Sequence, residues 1–347
     1  MSFDFSLYLS RPPQIAFWVY ITILSRQCDK HLTKQEKNIE KASYILLFGQ
    51  SFDIMIILQV YYSTKCRKEK EMFENLLNFL QKKKIDLVGA LPLSACRIIR
   101  PYLLEHANIS SGTVFMLAVP YFTPACEEEN RCISAYAVAR DYHLFFEELF
   151  EELLLYLKNL YPTAHFAAFS DHSPISELHA AARAGLGTIG KNGLLLTEKY
   201  GSYVFLGELV TDIEVACEVH PVRLCRDCGA CSAACPSVVS EKNLCLSALS
   251  QKKGELSGEE RELLRSTNTV WGCDRCQEVC PYNKRAKDAG SIYSPIPFFH
   301  QDTLACPGVE DIENMSNDAF ASRAYSWRGR DTILRNLRLL EKGDSPC

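Results

Sequence analysis

The chain has 347 residues, 47% hydrophobic and 23% charged, with 38 Lys and Arg against 42 Asp and Glu for a net charge of −4. That balance excludes a disordered, fibrous or nucleic-acid-coating protein, though not a local basic patch, and the length suits two or three domains. Sixteen cysteines are the unusual feature; seven lie in two tight clusters, no basic n-region or clean cleavage site marks a signal peptide, and thiols clustered in a reducing cytoplasm bind metal more often than they pair.

Residues 1–71 are rich in large apolar side chains and end in the charged run from Lys65 to Glu71. The apolar stretch Tyr44 to Tyr62 is interrupted by Gly49, Gln50, Ser51, Asp53 and Gln59. It therefore reads poorly as a membrane span, which needs about 20 mostly apolar residues. Met72 follows at once and is a candidate translation start. From there the pattern becomes that of an α/β domain. Phe73 to Leu80 has helical periodicity, and Ile85 to Leu91 and Thr113 to Val119 read as strands. A long helical stretch is expected over 135–161. Ser173-Pro174 is expected to open a further helix, with Ser as N-cap, that ends at Gly185. Leu194 to Leu196 and Tyr203 to Thr211 read as strands. A cysteine-rich region follows over 225–280. In the C-terminal tail six cations (Arg323, Arg328, Arg330, Arg335, Arg338 and Lys342) face only Asp331 and Glu341. The expected organisation is an unassigned extension 1–71, an α/β domain 72–215, a cysteine domain 216–290 and a basic tail 291–347.

Cys225, Cys228, Cys231 and Cys235-Pro236 form the C-x2-C-x2-C-x3-C-P run of bacterial iron–sulfur proteins. Cys273, Cys276 and Cys280-Pro281 repeat it with one cysteine missing, and Cys245 between the runs can supply it. The fourth cysteine of such a run ligates the other cluster in two-cluster ferredoxins. The expected sets are therefore Cys225, Cys228, Cys231 and Cys280 for one 4Fe–4S cluster, and Cys235, Cys245, Cys273 and Cys276 for the other. Two structural zinc sites are the alternative, disfavoured by the Cys-Pro endings and the x2-x2 rhythm. The other eight cysteines have no ligand spacing. Two adjacent cubanes form a wire for single electrons, and a wire needs a terminus, so the preceding domain should hold a redox centre or a reducible substrate.

Gly185-Leu186-Gly187-Thr188-Ile189-Gly190 matches G-x-G-x-x-G, but a dinucleotide site needs a strand before the glycines and a helix after them. Here a helix comes first, so a tight turn or a close backbone approach is the better reading. The block SDHSPISELHAAARAGLGTIGKNGLLLTEKYGSYVFLGELVTD resembles the epoxyqueuosine reductase family, together with CRDCGACSAACP, CDRCQEVCPYN, ISAYAVARDYH over 133–143 and the ending WRGRDTILRNLRLL. The likeness covers roughly 72–342.

The resemblance implies an α+β fold, in which a cobalamin-binding α/β catalytic domain like that of reductive dehalogenases precedes a ferredoxin-like double-cluster domain. It implies a cytoplasmic oxidoreductase that reduces epoxyqueuosine to queuosine at the tRNA wobble position, using cobalamin and two 4Fe–4S clusters. The expected partners are tRNA carrying epoxyqueuosine and a low-potential electron donor, with no membrane and a monomeric chain. The family's proton donor aligns with Asp171 in Asp-x-x-Pro. An acid here must work near neutral pH, which requires desolvation to raise its pKa, because a following helix N-terminus favours the ionised form. A plain helix-capping aspartate is the alternative. Ser134, Tyr136, Tyr142, His143, Lys191 and Asn192 are candidate cobalamin contacts, although the aromatic residues and His143 equally suit a core. Asp141-Tyr142-His143 begins a D-x-H-x-x-G pattern, but Phe146 stands in place of its glycine, so a base-off cobalamin without a histidine ligand is expected. Arg328 and Arg330 are candidate tRNA contacts, with a solvated helix face as the alternative. Three departures from the family stand out: the unmatched residues 1–71, a short stretch between Leu91 and Thr113, and no helical-repeat domain after the tail. Reduction of another small electrophile, or plain electron transfer, are the competing functions.

Overall fold

The computed structural model describes residues 70–236 and 245–341. The 1–71 extension, apart from its last two residues, lies outside them, as do Cys28, Cys66, Lys342 and Cys347. The first described element is a helix over 70–82. Met72, Leu76 and Leu80 recur at four-residue spacing on it and are fully buried.

Six strands follow: β1 (Leu87–Pro92), β2 (Thr113–Pro120), β3 (Phe166–Phe169), β4 (Thr188–Ile189), β5 (Leu195–Leu196) and β6 (Val204–Thr211). Four form an antiparallel sheet in the order β1-β2-β6-β3, with β2 buried at every residue. The register sets Thr113 opposite Thr211, and Phe169 opposite Glu208. Alternation then sorts side chains to two faces. Phe115, Leu117, Val119 and Leu209 pack with the helix Tyr142–Leu160, through its Phe145, Phe146, Leu149, Leu153 and Leu157. Val114, Met116, Ala118 and Val210 pack with the helix Glu177–Arg183, through Ala180, Ala181 and Ala182. Small alanines let that helix lie close to the sheet: a Cβ at Gly89 would fall 2.3 Å from the Ala184 carbonyl oxygen.

The cysteine region is built of short helices (Ala230–Ala233, Leu246–Ser250, Gly258–Ser266, Arg275–Glu278 and Pro281–Asp288). The tail does not trail away. Its last helix, Arg330–Glu341, buries Ile333, Leu334, Leu337 and Leu339. On the same helix the Asn336 amide donates to the carbonyls of Ser250 and Val270 at 2.7 and 2.8 Å. A parallel bridge between Ile133 and Trp271, with Trp271 fully buried, fastens the sheet region to the cysteine region.

Two expected helix starts are corrected. Residues 135–141 are not part of the long helix, because the Asp141 side chain accepts from the His143 amide and caps it there. The helix expected at Ser173 begins at Glu177, with Ser176 as N-cap. Upstream, the chain is held extended: Ile175 pairs with Ile98, and the Ser176 amide donates to Arg97 at 2.9 Å. The expected end holds, with Gly185 at φ +84° and the Leu186 amide reaching back to Ala181 as a Schellman cap requires. Strand β3 was not foreseen. Among the described residues no helix is long and apolar enough to cross a membrane.

Candidate functional site

The β4–β5 hairpin anchors the first cysteine run. Its turn closes with the Gly190 amide donating to Leu194 at 2.8 Å, and the Cys225 amide donates to Ile189 at 2.9 Å. This disposes of a dinucleotide loop: the glycines make a helix end and a hairpin. Cys225, Cys228, Cys231 and Cys280 line one surface-open pocket beside Lys191 and Asn192. These are the four thiols expected to share a cluster. The Lys191 amide donates to Cys225 Sγ at 3.3 Å, the kind of bond that stabilises a cluster thiolate. Cys280 precedes Pro281, which opens the next helix at a position where the missing amide costs nothing.

Cys245, Cys273 and Cys276 lie within electrostatic reach of one another. Burial, then the neighbouring Cys273, pushes Cys276 up to about 11, and burial also raises Cys273. Such thiols ionise when a metal's charge offsets desolvation, so cluster loading must release protons. The Asn192 amide nitrogen is buried without an oxygen or nitrogen partner and lies against Cys276. Cys235 ends the first run just before residues 237–244, which are outside the described residues. Among the described residues no three His, Cys, Asp or Glu side chains converge on a point for a single ion.

A second cluster of groups forms where β3 ends. Asp171 holds φ +60°, a left-handed conformation uncommon outside glycine. The Tyr142 hydroxyl donates to its Oδ2, and His143 Nε2 lies 3.1 Å from the same oxygen. His143 Nδ1 pairs with Asp141 at 2.7 Å. Asp141, His143, Asp171 and Tyr142 thus form one chain of proton-carrying groups. Bonds to Asp141 and then Asp171 push the imidazole up to about 10. Burial alone would lift Asp171, but bonds from His143 and Tyr142, with the imidazole charge, outweigh it and hold the carboxyl below its usual value. The expectation that desolvation raises Asp171 is therefore reversed: the proton of this pair sits on His143. The helix-cap alternative also falls, since Ser176 is the cap.

Tyr142 stacks on Phe205 at 4.0 Å between ring centres, and its phenol is raised by burial and then by Asp171. Both His143 nitrogens are occupied by carboxylates, which leaves neither free as a cobalt ligand. Phe146 stands where a glycine was needed because it packs on β6; a Cβ at Gly207 would fall 2.5 Å from its ring. Tyr136 accepts from the Trp271 indole at 2.8 Å and lies within electrostatic reach of Asp171. Ser134 is elsewhere engaged: buried, it donates to Asp274 Oδ1 at 2.5 Å, where Arg131 also binds Oδ2 at 2.7 Å. Lys191 reaches Asp227 at 2.7 Å and sits by Cys231 and Cys225.

In the tail, Arg330 is spent internally, donating to the Ile312 and Ser316 carbonyls and lying over the Phe320 ring at 4.4 Å. Arg323 and Arg335 likewise bind backbone carbonyls, and Arg338 pairs with Glu313. Arg328 differs. Its guanidinium lies 3.9 Å over Trp327, a ring 58% exposed. Sequence reading missed Trp327, and also Asp274, Glu177 and Glu208, whose roles come from partners distant in the chain.

Comparison with known proteins follows the same two regions. Residues 107–172 match the family described as epoxyqueuosine reductase QueG, DUF1730, and residues 224–283 match a 4Fe-4S double cluster binding domain. The epoxyqueuosine reductase of Lactococcus garvieae is 35% identical over 261 residues, 67% of this chain and 72% of that protein. That of Listeria monocytogenes is 36% identical over 215 residues, 58% of this chain and 54% of that protein. The chain thus spans about half the length of the Listeria relative. A solved epoxyqueuosine reductase with an epoxyqueuosine-modified tRNA stem loop aligns with TM-score 0.63 and 27% identity, over 78% of this chain and 81% of that one.

Proposed function

Because the chain belongs to the epoxyqueuosine reductase family, we propose that it reduces the epoxide of epoxyqueuosine in tRNA to the alkene of queuosine. The reaction takes two electrons and two protons and releases the oxygen as water. The observation that carries this reading is the pairing, in one chain, of a four-cysteine cluster pocket with an Asp171 carboxylate bonded to both a phenol and an imidazole.

Cys225, Cys228, Cys231 and Cys280 would hold one 4Fe–4S cluster and Cys235, Cys245, Cys273 and Cys276 the other, and the two would supply single electrons at low potential. The Lys191 amide donates to the Cys225 thiol, and the Asn192 amide nitrogen, without a partner of its own, lies beside Cys276. A cobalamin would suit the aromatic wall of the Asp171 site, where Tyr142 stacks on Phe205, and His143 would not hold its cobalt because both ring nitrogens pair with carboxylates. Tyr136, Tyr142 and His143 would lie against it; Ser134 would not, since its hydroxyl is given to Asp274. When bound, this cofactor supplies a low-potential nucleophilic cobalt. The chain's own part is proton delivery. Oxygen departing from the ring carries developing negative charge, and Asp171 passes it a proton drawn from His143, which Asp141 holds in place. Trp327 with Arg328 offers a stacking and phosphate contact for tRNA. We place the enzyme in the cytoplasm with its tRNA.

A second reading, reduction of a small electrophile other than a tRNA base, is favoured by one observation: Arg323, Arg330, Arg335 and Arg338 are consumed inside the fold. The queuosine content of tRNA from a deletion strain decides between the two. Epoxyqueuosine accumulating in place of queuosine is expected; unchanged queuosine sinks the leading reading.

A further inference from the structure

Beneath Asp171 lies a pair of carboxyls that the proton chain does not use. Glu208 sits mid-strand in β6, opposite Phe169 of β3, and is fully buried. Its two carboxyl oxygens have no hydrogen-bond partner; they face the Glu177 carboxyl and the Ser173 hydroxyl. Glu177, in the first turn of its helix, accepts the Asp171 amide on Oε1 at 3.1 Å. That amide belongs to the one residue of the loop with left-handed backbone, a conformation that persists only where surroundings enforce it. A buried carboxyl without a partner is costly, and two facing carboxyls meet that cost by sharing a proton.

We propose that Glu177, backed by Glu208, is a positioning residue: the pair shares one proton, and Glu177 grips the Asp171 amide so that its carboxylate stays on Tyr142 and His143. The inference rests on the proton-delivery reading above for its catalytic meaning, but the grip itself does not.

The arrangement is pH-sensitive. Burial and then the Asp171 charge raise Glu177 to about 7, and burial and then Glu177 raise Glu208 further. The other groups facing the pair are Arg100, whose charge favours ionised Glu177, and Cys96 on the Glu208 side, with Arg183 beyond Cys96. Glu177 is the first of the pair to ionise. Above about pH 7 the pair holds one proton, and the charged Glu177 oxygen accepts the Asp171 amide more strongly. Below it a second proton neutralises Glu177 and the grip weakens.

The test uses the cluster-loaded full chain. Hydrogen exchange of the Asp171 amide, corrected for intrinsic rate, is followed from pH 6 to 9 in the parent, Glu177→Gln, Glu177→Ala and Glu208→Gln. Nuclear magnetic resonance of His143 serves as a second readout of where the Asp171 carboxylate sits. The parent amide should be less protected at pH 6 and gain protection as pH passes 7. Glu177→Gln keeps an acceptor without a titration, so its protection should be flat with pH. Glu177→Ala should exchange at least about tenfold faster at every pH, as expected for losing one hydrogen bond, and His143 should titrate nearer its ordinary value. Should Glu177→Ala not fold, Glu177→Gln against the parent still decides: a parental pH dependence in that variant overturns the proposal, as does undiminished protection in Glu177→Ala. With substrate, Glu177→Gln should remove the acid limb of kcat near pH 7 and leave KM unchanged. Exchange and titration need no substrate, so their success with no activity on epoxyqueuosine tRNA would refute the assigned reaction and leave the grip standing.

Discussion

Replacing Asp171 with Asn tests the proton chain most directly. Asn keeps the shape and can still accept from Tyr142, but it has no charge to offer His143 and no proton to pass on. His143 lies above its ordinary pKa of 6.5 because of Asp141 first and Asp171 second. Its side chain is 54% exposed and that of Asp171 56%, so water screens the pair to about 0.5–1 kcal/mol, and the variant imidazole should titrate lower by roughly half a unit. The sign follows from the raised value: the stability from a charged His143 is complete below about pH 6.5 and fades as pH rises toward 10. Asp171→Asn should therefore lose less than about 1 kcal/mol below pH 6.5 and nothing above pH 10. Turnover should fall far more, by roughly 10²–10⁴, the usual share of general acid catalysis, with cobalamin binding and cluster content unchanged. Single-turnover epoxide reduction, with the His143 titration by nuclear magnetic resonance, measures both. Near-parental turnover with cofactor bound would refute Asp171 as the acid. An imidazole that titrates at 6.5 or below in the parent would refute the chain behind it.

Other tests address the metal, the tail and the core. Anaerobically purified protein should carry about eight irons per chain by the ferredoxin pattern; Cys245→Ala should impair one cluster and leave the other, while Cys306→Ala changes neither, and iron analysis with acid-labile sulfide decides. Arg328→Ala should weaken tRNA binding and lower the slope of log K against log salt by about one, whereas Arg330→Ala should leave that slope alone and cost about 1 kcal/mol in a denaturant melt, because the half-buried Ile312 carbonyl loses its donor. Phe146→Ala opens a cavity against Gly207 and should cost about 3–5 kcal/mol; a loss under 1 kcal/mol would mean that helix 142–160 does not depend on this contact.

Local chemistry made much of this protein legible. The cysteine spacing put forward Cys225, Cys228, Cys231 and Cys280 as one set, because thiols separated by two residues can wrap one cubane and the second run can complete it, and the structure brings these four to one pocket. Period-two and period-3.6 patterns gave β1, β2, β6 and the helix over 70–82, and Gly185 marked a helix end. What failed was whatever depended on a partner far along the chain. Ser173-Pro174 has every local mark of a helix start, yet pairing with 97–98 keeps it extended. Phe166–Phe169 is too short to announce itself and is a strand only because β6 offers an edge. Arg330 and its neighbours looked like a phosphate-binding tail, but carbonyls of distant loops claim them. Asp171 was visible as a candidate, while the direction of its pKa was not: His143 and Tyr142 stand 28 and 29 residues away, and only the closing of β3 against β6 brings their charge and hydroxyl onto its carboxylate. Spacing fixes which atoms can share a ligand, and tertiary contacts fix the electrostatic neighbourhood in which those atoms act.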